Sequence, residues 1–277
     1  MGCQLKALIR VNTYHATKPQ PLRNVPIYTP SIIAVQSGRK ILKWHDDALT
    51  FNNKNWLVIP ANQQLTFVNE PHQTQFNSIQ ISFLSPPSEV IMSAFDNHNH
   101  KYNHNLQHIE RPLITTDTAL DFIFSQLIAI VKHKLSIEVQ QHYLNGFYQQ
   151  LLEIGALHLL FPSSTLSMRE KVSRYLSTNP ADHHSIEATC KHFATSKATL
   201  TRHLAKEDAL FRDVLAEVRM LHGLSLMQQY SYTQLELALR CGYLSEARFG
   251  QRFQQQFGIT PKQYMKTVMQ TTKKNIA

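Results

Sequence analysis

Cysteine is scarce in this chain of 277 residues, and the three that occur are Cys3, Cys190 and Cys241. They cannot all pair with one another and show no metal-ligand spacing, which excludes a disulfide framework and a zinc finger. The chain also lacks an apolar run of about 18 residues and a start of signal-peptide type. We therefore expect a cytoplasmic protein with no membrane partner.

Acidic residues are fewer than basic residues. The sequence has 28 Lys and Arg against 19 Asp and Glu, for a net charge of +9. Residues 1–165 contribute +2 of this charge, and residues 166–277 contribute +7. Because a basic excess favours a polyanionic partner, we expect the C-terminal part to be the one that meets a polyanion.

Glycine is also rare, and six of the eight glycines lie beyond residue 112, whereas nine of the twelve prolines lie at or before it. Between Ile27 and Leu84, short apolar runs alternate with polar clusters. The clearest runs are Ile32–Val35, Trp56–Ile59 and Ile79–Phe83. Short strands with turn signals about every ten residues predict an antiparallel barrel or sandwich.

The segment 86–112 is rich in Asn and His and is predicted to connect these strands to the next unit. Its histidines, and the pair His183–His184, invite a metal-site interpretation. However, no Cys or carboxylate accompanies them at familiar ligand spacing, and no rigid element holds them. We expect surface histidines, no bound metal and no other cofactor. The histidines of this segment are His98, His100, His104 and His108.

Helical periodicity takes over after this segment. Apolar residues recur every three or four positions in 117–135 and in 138–160, which predicts two amphipathic helices. A short polar linker, 161–164, precedes a capping-box pattern at Ser167 and Glu170. The predicted units are a regulatory domain at 1–112, a helical hairpin with linker at 113–164, and a third domain at 165–277.

The apolar stripe of the second predicted helix is wider than packing against one face of the barrel requires. Such width either completes the barrel core or forms a dimer interface, and periodicity alone does not separate the two. We favour self-association as a homodimer. The residues expected at the dimer interface are Leu144, Phe147, Tyr148 and Leu151.

The C-terminal part contains two helix-turn-helix patterns. In the first, Ser185 caps a helix that ends at His192, and Ser196 caps a second helix after a three-residue turn. In the second, Thr233 begins a capping box and Ser245 caps the second helix. Gly242 lies in the turn between them and can take the positive φ that such turns often need.

A single helix is predicted to join the two units. Its apolar residues run from Phe211 to Leu226, and about nineteen residues would span roughly 28 Å. Successive major grooves on one face of B-DNA are about 34 Å apart, so this connector can place both second helices on one duplex. We expect Arg219 on this helix to pair with an internal acid rather than to contact DNA.

Residues 185–264 resemble the DNA-binding domain of the AraC/XylS family of bacterial transcription regulators. The resemblance is most specific in GYLSEARFGQRFQQQFGITPKQY, residues 242–264. The first unit departs from the family pattern, with Ala194 and Asp208 where glycine is usual, Thr195 where an apolar residue is usual, and Gly223 where a small helix former is usual. Because the spacings survive, we expect the fold to survive as well.

The resemblance implies an α+β multidomain protein. Its N-terminal part would be a cupin-like barrel with a helical dimerisation segment, and its C-terminal part an all-α domain of two helix-turn-helix units. The function it implies is sequence-specific transcription regulation, in the commoner role of activator, with promoter DNA and RNA polymerase as partners. Some relatives regulate virulence and bind fatty acids in such a barrel.

The same resemblance places seven side chains toward base edges. Arg, Gln and Glu can read guanine, adenine and cytosine, whereas Ala can only touch a thymine methyl. The expected base readers are Ala198, Thr201, Arg202, Glu246, Ala247, Arg248 and Gln251. Phosphate contacts position a protein without specifying sequence, and we assign them to Lys197, Thr199, Arg252 and Lys262.

Residues 25–85 resemble the sensor barrel of this family. We expect it to bind a small amphipathic anion, although a solvated strand edge and an aromatic core would give the same pattern. The expected apolar lining is Trp44, Trp56, Phe67 and Phe83, and the expected cationic end is Arg39, Lys40 and Lys43.

Two other functions remain as alternatives. A nonspecific or architectural DNA-binding protein would discriminate little between a selected site and random duplex at a fixed salt concentration. A cupin-type metalloenzyme would need histidines on its strands, but Gln63, Gln64 and Leu65 stand where a histidine often follows. We therefore expect no enzyme.

Overall fold

The computed structural model describes residues 7–73, 75–102, 111–162 and 166–268. The strands are β1 (Ile9–Ala16), β2 (Gln20–Ile27), β3 (Ser31–Ser37), β4 (Arg39–Trp44), β5 (Asp47–Phe51), β6 (Asn55–Ile59), β7 (Gln63–Glu70), β8 (Phe76–Phe83) and β9 (Leu113–Thr115). The N-terminal helices are α1 (Glu89–Tyr102), α2 (Thr118–Lys132), α3 (Ile137–Glu153) and α4 (Leu157–Leu160). The C-terminal helices are α5 (Met168–Leu176), α6 (Ile186–His192), α7 (Lys197–Ala205), α8 (Phe211–Gln229), α9 (Gln234–Arg240), α10 (Glu246–Phe257) and α11 (Pro261–Met265).

The N-terminal strands form two antiparallel sheets that enclose an interior. Their strand orders are β1-β8-β3-β6-β9 and β2-β7-β4-β5. This β-rich domain, followed by a helical domain, confirms the predicted α+β multidomain class. Strand β1 lies before Ile27, where the predicted strand region began, and β2 ends at Ile27.

The larger sheet has one face toward the interior and one toward helices. On β8, Ile79, Ile81 and Phe83 pack against the helices α1–α4, because alternate side chains point to opposite faces of a sheet. Helix α1 lies inside the segment that was predicted to be a connection, so that prediction is wrong. Its Ile91 and Phe95, four residues apart, are buried in the same helix-side core and explain why a helix forms there.

The four residues expected at a dimer interface are fully buried within one chain, so this prediction is wrong. Leu144, Phe147, Tyr148 and Leu151 are each 0% exposed. Phe147 stacks on Phe83 of the sheet at 5.5 Å between ring centroids, and the Tyr148 hydroxyl donates a hydrogen bond to the Ser85 carbonyl at 2.5 Å. The wide stripe exists because α3 packs against the sheet and the neighbouring helices at once.

Residues 113–162 also belong to the N-terminal domain and form no unit of their own. Strand β9 pairs with β6, and α2 to α4 share one core with the sheet. The predicted boundary at residue 164 lies outside the described residues, and α5 begins the next domain at Met168.

The helix caps of the two helix-turn-helix units form as predicted from the sequence. The side chains of Ser185, Ser196 and Ser245 each accept a hydrogen bond from a backbone N–H three residues later. Thr233 and Glu236 complete a capping box. Each bond satisfies an N–H that has no partner inside its helix.

Helix α8 has 19 residues and contributes to two cores. Val214 and Val218 pack into the core of the first helix-turn-helix unit, whereas Met220 and Leu224 pack with the second. The second core is continuous with the barrel interior. The C-terminal domain and the barrel are therefore packed together along α8 and α10.

Polar contacts also join the two domains. The Arg174 guanidinium donates to the Phe83 carbonyl at 3.3 Å, as well as to that of Leu84. Gln256, near the end of α10, donates to the Asn24 carbonyl at 2.6 Å. The barrel is thus hydrogen-bonded to the C-terminal domain through side chains of α5 and α10.

Candidate functional site

The turn of the second helix-turn-helix unit is fixed by a glycine and an arginine. Gly242 has φ +74°, as predicted. The Arg219 guanidinium donates to the carbonyls of Pro180 and Asp182 at 3.1 and 3.0 Å and lies 5.7 Å from the centre of the Tyr243 ring. Arg219 therefore has the structural role expected of it, but its partners are backbone carbonyls rather than an acid.

The first unit keeps its turns without glycine. Ala194 and Asp208 take φ values of +48° and +50° at the two positions where glycine is usual. Close packing explains why glycine occupies position 223, because a β-carbon there would lie 3.1 Å from the Phe249 ring. The departures from the family pattern thus leave the fold intact and store strain in the first unit.

Replacing Ala194 by glycine should stabilise the first unit. Glycine adopts the left-handed conformation without the strain that alanine has there, and this should outweigh the larger entropy that glycine loses on folding. The free energy of unfolding should therefore rise by about 0.5–1 kcal/mol. Thermal unfolding of the full chain should show a midpoint higher by roughly 1–4 °C. A lower midpoint would contradict this, and Ala205→Gly, in helix α7, is a control that should lower it.

All seven expected base readers lie on the exposed surface of the two second helices. Ala198, Thr201 and Arg202 lie on α7, and the other four lie in the first half of α10. Behind them, Leu200 and Leu204 of α7 and Phe249 and Phe253 of α10 are buried. Each helix therefore presents a polar edge while its apolar face is anchored in a core.

The four residues expected to contact phosphates differ in their exposure and in their present partners. Lys197 is exposed and forms an ion pair with Glu187 at 3.0 Å, and Lys262 is exposed on α11. Thr199 accepts a hydrogen bond from the Ser196 hydroxyl at 2.9 Å. Arg252 is half-buried and lies 3.6 Å from the Asp213 carboxylate of α8. Arg252 would have to exchange this carboxylate for a phosphate.

A cavity of about 300 Å³ lies between the barrel interior and the C-terminal domain. Strands of both sheets line one side, and Val218, Leu221 and His222 of α8 line the other. Of the seven expected ligand contacts, only Lys40 and Phe67 line it.

The other expected ligand contacts lie elsewhere, and their assignment is wrong. Trp56 and Phe83 belong to the core on the helix side of the larger sheet. Arg39 and Lys43 point out of the barrel because they alternate with Lys40 and Leu42 along β4, and Arg39 pairs with Glu70 at 2.6 Å. Trp44 is half-buried and meets the His45 ring edge-on.

Lys40 is the innermost charged group of the cavity, at 3% exposure. Its ammonium donates to the Asn69 side-chain oxygen and lies 3.6 Å from the centre of the Phe67 ring. Burial holds the pKa of Lys40 well below its usual value, because desolvation disfavours the charged form. The hydrogen bonds continue from Asn69 to Gln20 at 2.9 Å and from Gln20 to the Thr267 hydroxyl at 2.6 Å.

Sequence reasoning missed a second cationic group at the mouth of the cavity. Arg10 of β1 lines it together with Tyr14, Tyr28 and His222. Burial raises the pKa of Tyr14 to about 12, and burial together with the Arg10 charge lowers the pKa of His222. Arg10 precedes the region that was predicted to form strands. Its alternation with Asn12 and Tyr14 is the sequence pattern that could have identified it as facing the interior.

Other possible sites receive no support from the described ranges. They contain no group of three or more His, Cys, Asp or Glu side chains placed to hold a metal. His104, His108 and Cys3 lie outside these ranges, as do the side chains of His98 and His100. Cys190 and Cys241 are buried. Within the same ranges, no helix is long and apolar enough to cross a membrane.

Comparison with known families and curated proteins locates the similarity in the C-terminal domain. A family model described as a helix-turn-helix domain matches residues 189–267. The urease operon transcriptional activator of Escherichia coli is 27% identical over 121 residues, which are 44% of this chain and 40% of that protein. The HTH-type transcriptional regulator YdeO of E. coli K12 is 28% identical over 39% of this chain and 42% of its own length.

The chain therefore spans well under two thirds of the length of these relatives. The predicted resemblance to AraC/XylS regulators is confirmed. These relatives are transcription regulators rather than enzymes, in agreement with the expectation of no enzyme.

Solved structures match nearly the whole chain. ToxT from Vibrio cholerae aligns with a TM-score of 0.59 over 95% of this chain and 100% of its own, at 15% identity. Wild-type ToxT of V. cholerae strain SCE256, solved with bound unsaturated fatty acid, aligns with a TM-score of 0.62 over 98% and 99%, at 13% identity. At this identity, the match establishes the shared two-domain fold.

Proposed function

We propose that this protein is a sequence-specific DNA-binding transcription regulator that acts as an activator. One observation carries the proposal: each second helix of the two helix-turn-helix units exposes a polar edge in the more basic part of the chain. Exposed Arg and Gln side chains on such helices suit direct readout of bases in the major groove. An activator would also contact RNA polymerase.

The connection between the units supports binding as a single chain. Helix α8 is continuous over 19 residues, roughly 28 Å at 1.5 Å per residue, and it is packed into both units. A stiff connector of this length suits two helices that enter successive major grooves.

Substitution of the base-facing arginines tests this function. Arg202→Ala or Arg248→Ala should cost about 1–3 kcal/mol of binding free energy and relax preference at one base pair, because each removes a donor to base edges. Arg252→Ala should weaken binding to all sequences alike. Competition binding on a selected site and its single-base variants, at one salt concentration, measures both effects.

If the three variants lowered affinity uniformly, the assignment of base readers would be wrong. If the parent chain did not distinguish a selected site from random duplex, it would be a nonspecific or architectural DNA-binding protein instead. Lys43→Ala, at an exposed position of β4, is a control that should leave DNA affinity unchanged.

A small amphipathic anion is proposed as the effector, with the cavity between the domains as its site. Lys40 supplies a cation, Leu65 and Phe67 supply apolar surface, and α8 forms one wall. A molecule held there would touch both domains, so its binding and DNA binding would affect each other reciprocally. The unsaturated fatty acid bound by ToxT of strain SCE256 agrees with this class of ligand.

Homodimerisation is proposed through the outer face of α2 and α3, since their inner face packs against the helix side of the larger sheet. The large apolar side chains exposed there are Phe122 at 66%, Val139 at 40% and Tyr143 at 38%. Solvated aromatic and aliphatic groups on two adjacent helices are typical of an association surface.

A further inference from the structure

The second helix of the second helix-turn-helix unit contains a glycine in its interior. Gly250 is the fifth of the twelve residues of α10. Glycine is one of the poorest helix formers, because it loses more backbone freedom on folding than any other residue. A glycine is nevertheless used where the backbone is left-handed, or where a neighbouring group lies too close for a side chain.

Neither reason applies to Gly250 within this chain. Its backbone is helical, unlike that of Gly242 and Gly258, which have positive φ values. Outside its chain neighbours and the backbone of its own helix, no heavy atom of the described residues lies within 4 Å of the position that a β-carbon would take there. The space beside Gly250 is therefore open, and the fold itself does not require a glycine at this position.

Gly250 lies at one border of the exposed face of α10. Successive residues of a helix are about 100° apart around its axis, so Gly250 and Arg252 lie about 200° apart, at opposite borders. Both are half-buried, whereas Gln251 is exposed. The side chains of Ala247, Arg248 and Gln251, which are proposed to face bases, all fall on the arc between these two borders.

The two borders of α10 would face the two strands of a bound duplex. A helix with its side chains is about 10–12 Å across, and the major groove of B-DNA is about 12 Å wide, so little room remains on either side. Glu246 lies one turn before Gly250, at the N-terminal end of the helix, where such helices contact base edges. Gly250, one turn farther out, comes to the level of a sugar–phosphate backbone.

We propose that Gly250 is a positioning residue for DNA binding, whose missing side chain lets the sugar–phosphate backbone of one strand lie directly against α10. The proposal rests on the proposed function as a DNA-binding regulator. Arg252 contributes charge on the side of one strand, and Gly250 contributes space on the side of the other.

The residue next to Gly250 on the helix surface supports this close approach. Ala247 lies about 60° from Gly250 around the axis and is exposed. Its methyl group can contribute to base readout only by touching a thymine methyl. Because the alanine side chain is a single carbon, this contact requires the helix backbone itself to lie close to the DNA.

The Gly250→Ala variant separates this role from a structural one. Because alanine is the better helix former and the space is open, the full-length variant should unfold at a midpoint roughly 1–4 °C above that of the parent. Its DNA affinity should nevertheless fall about tenfold or more, since the added methyl group would displace the DNA backbone. Gly250→Leu, with a larger side chain, should bind more weakly still.

Thermal unfolding and fluorescence anisotropy measure the two effects. Two duplexes serve as probes, one selected from a random library by the parent chain and one unselected, at one salt concentration. The affinity of Gly250→Ala should fall by a similar factor for both, because every sequence has the same backbone.

Gly146→Ala is the matched control. Gly146 is likewise a glycine inside a helix, α3, and the nearest heavy atom to its β-carbon position is Ile123 Cδ1 at 3.9 Å, an ordinary contact distance. This variant should also unfold at a higher midpoint, and it should keep the DNA affinity of the parent.

Parent-like or tighter DNA binding by Gly250→Ala or Gly250→Leu would overturn the proposal. A lower unfolding midpoint for Gly250→Ala would also overturn it, by showing that the fold needs this glycine. A loss of affinity limited to duplexes with one particular base pair would mean that Gly250 faces a base edge instead of the backbone. A parent chain that bound neither duplex would contradict the proposed function itself, and this proposal with it.

Discussion

The Gly242→Val variant is expected to lose DNA binding. A β-carbon at this position would lie 2.8 Å from the Arg219 guanidinium and 2.9 Å from the Ala181 carbonyl oxygen, both closer than such contacts allow. A β-branched residue also resists the φ of +74° found there. Together these effects should cost about 3–5 kcal/mol and unfold the second helix-turn-helix unit locally.

Gly155→Val is the matched control for this variant. Gly155 has φ +70°, but no heavy atom lies within 4 Å of the position that a β-carbon would take there. It should therefore show the conformational cost alone and keep DNA affinity. Binding by gel shift and thermal unfolding, measured on both variants, separate the contact from the strain. Parent-like DNA binding by Gly242→Val would mean that the turn is not required to position α10.

Phe147→Asp is expected to unfold the N-terminal domain. Truncating a fully buried phenylalanine costs about 3–5 kcal/mol, and a buried carboxylate without a partner adds to that cost. The total approaches the whole stability of a typical domain. Loss of the N-terminal transition in calorimetry, with the C-terminal helices retained, would be the observation.

Phe122→Asp tests the outer face of the same helical hairpin. Because Phe122 is 66% exposed, the variant should fold with a parent-like melting temperature. If the chain dimerises through this face, sedimentation equilibrium should show a monomer for the variant and a dimer for the parent. A variant that stays dimeric would place the interface elsewhere, and a folded Phe147→Asp dimer would contradict the burial of Phe147.

The helix-turn-helix units could be predicted from the sequence because their signals are local. Ser185, Ser196 and Ser245 are caps whose bonds reach only three residues along the chain. Gly242 supplies the one φ that its turn needs. The helix bounds in this part accordingly agree with the predicted ones to within a few residues.

The sites in the N-terminal domain were predicted poorly because they depend on which partner covers each face. Period-two alternation on β8 is the same whether Ile79, Ile81 and Phe83 face the barrel or a layer of helices. Likewise, an apolar stripe such as that around Phe147 looks identical in a core and in a dimer interface.

The sequence by itself determined the two helix-turn-helix units, their connector and the basic character of the surface they present. Only the tertiary structure decided that Lys40 turns inward while Arg39 and Lys43 turn outward, and that Arg10 joins it at the same cavity. The physical reason is the distance along the chain over which each interaction acts. Caps, turns and periodicity depend on residues a few positions apart, whereas burial depends on elements that are far apart in the chain.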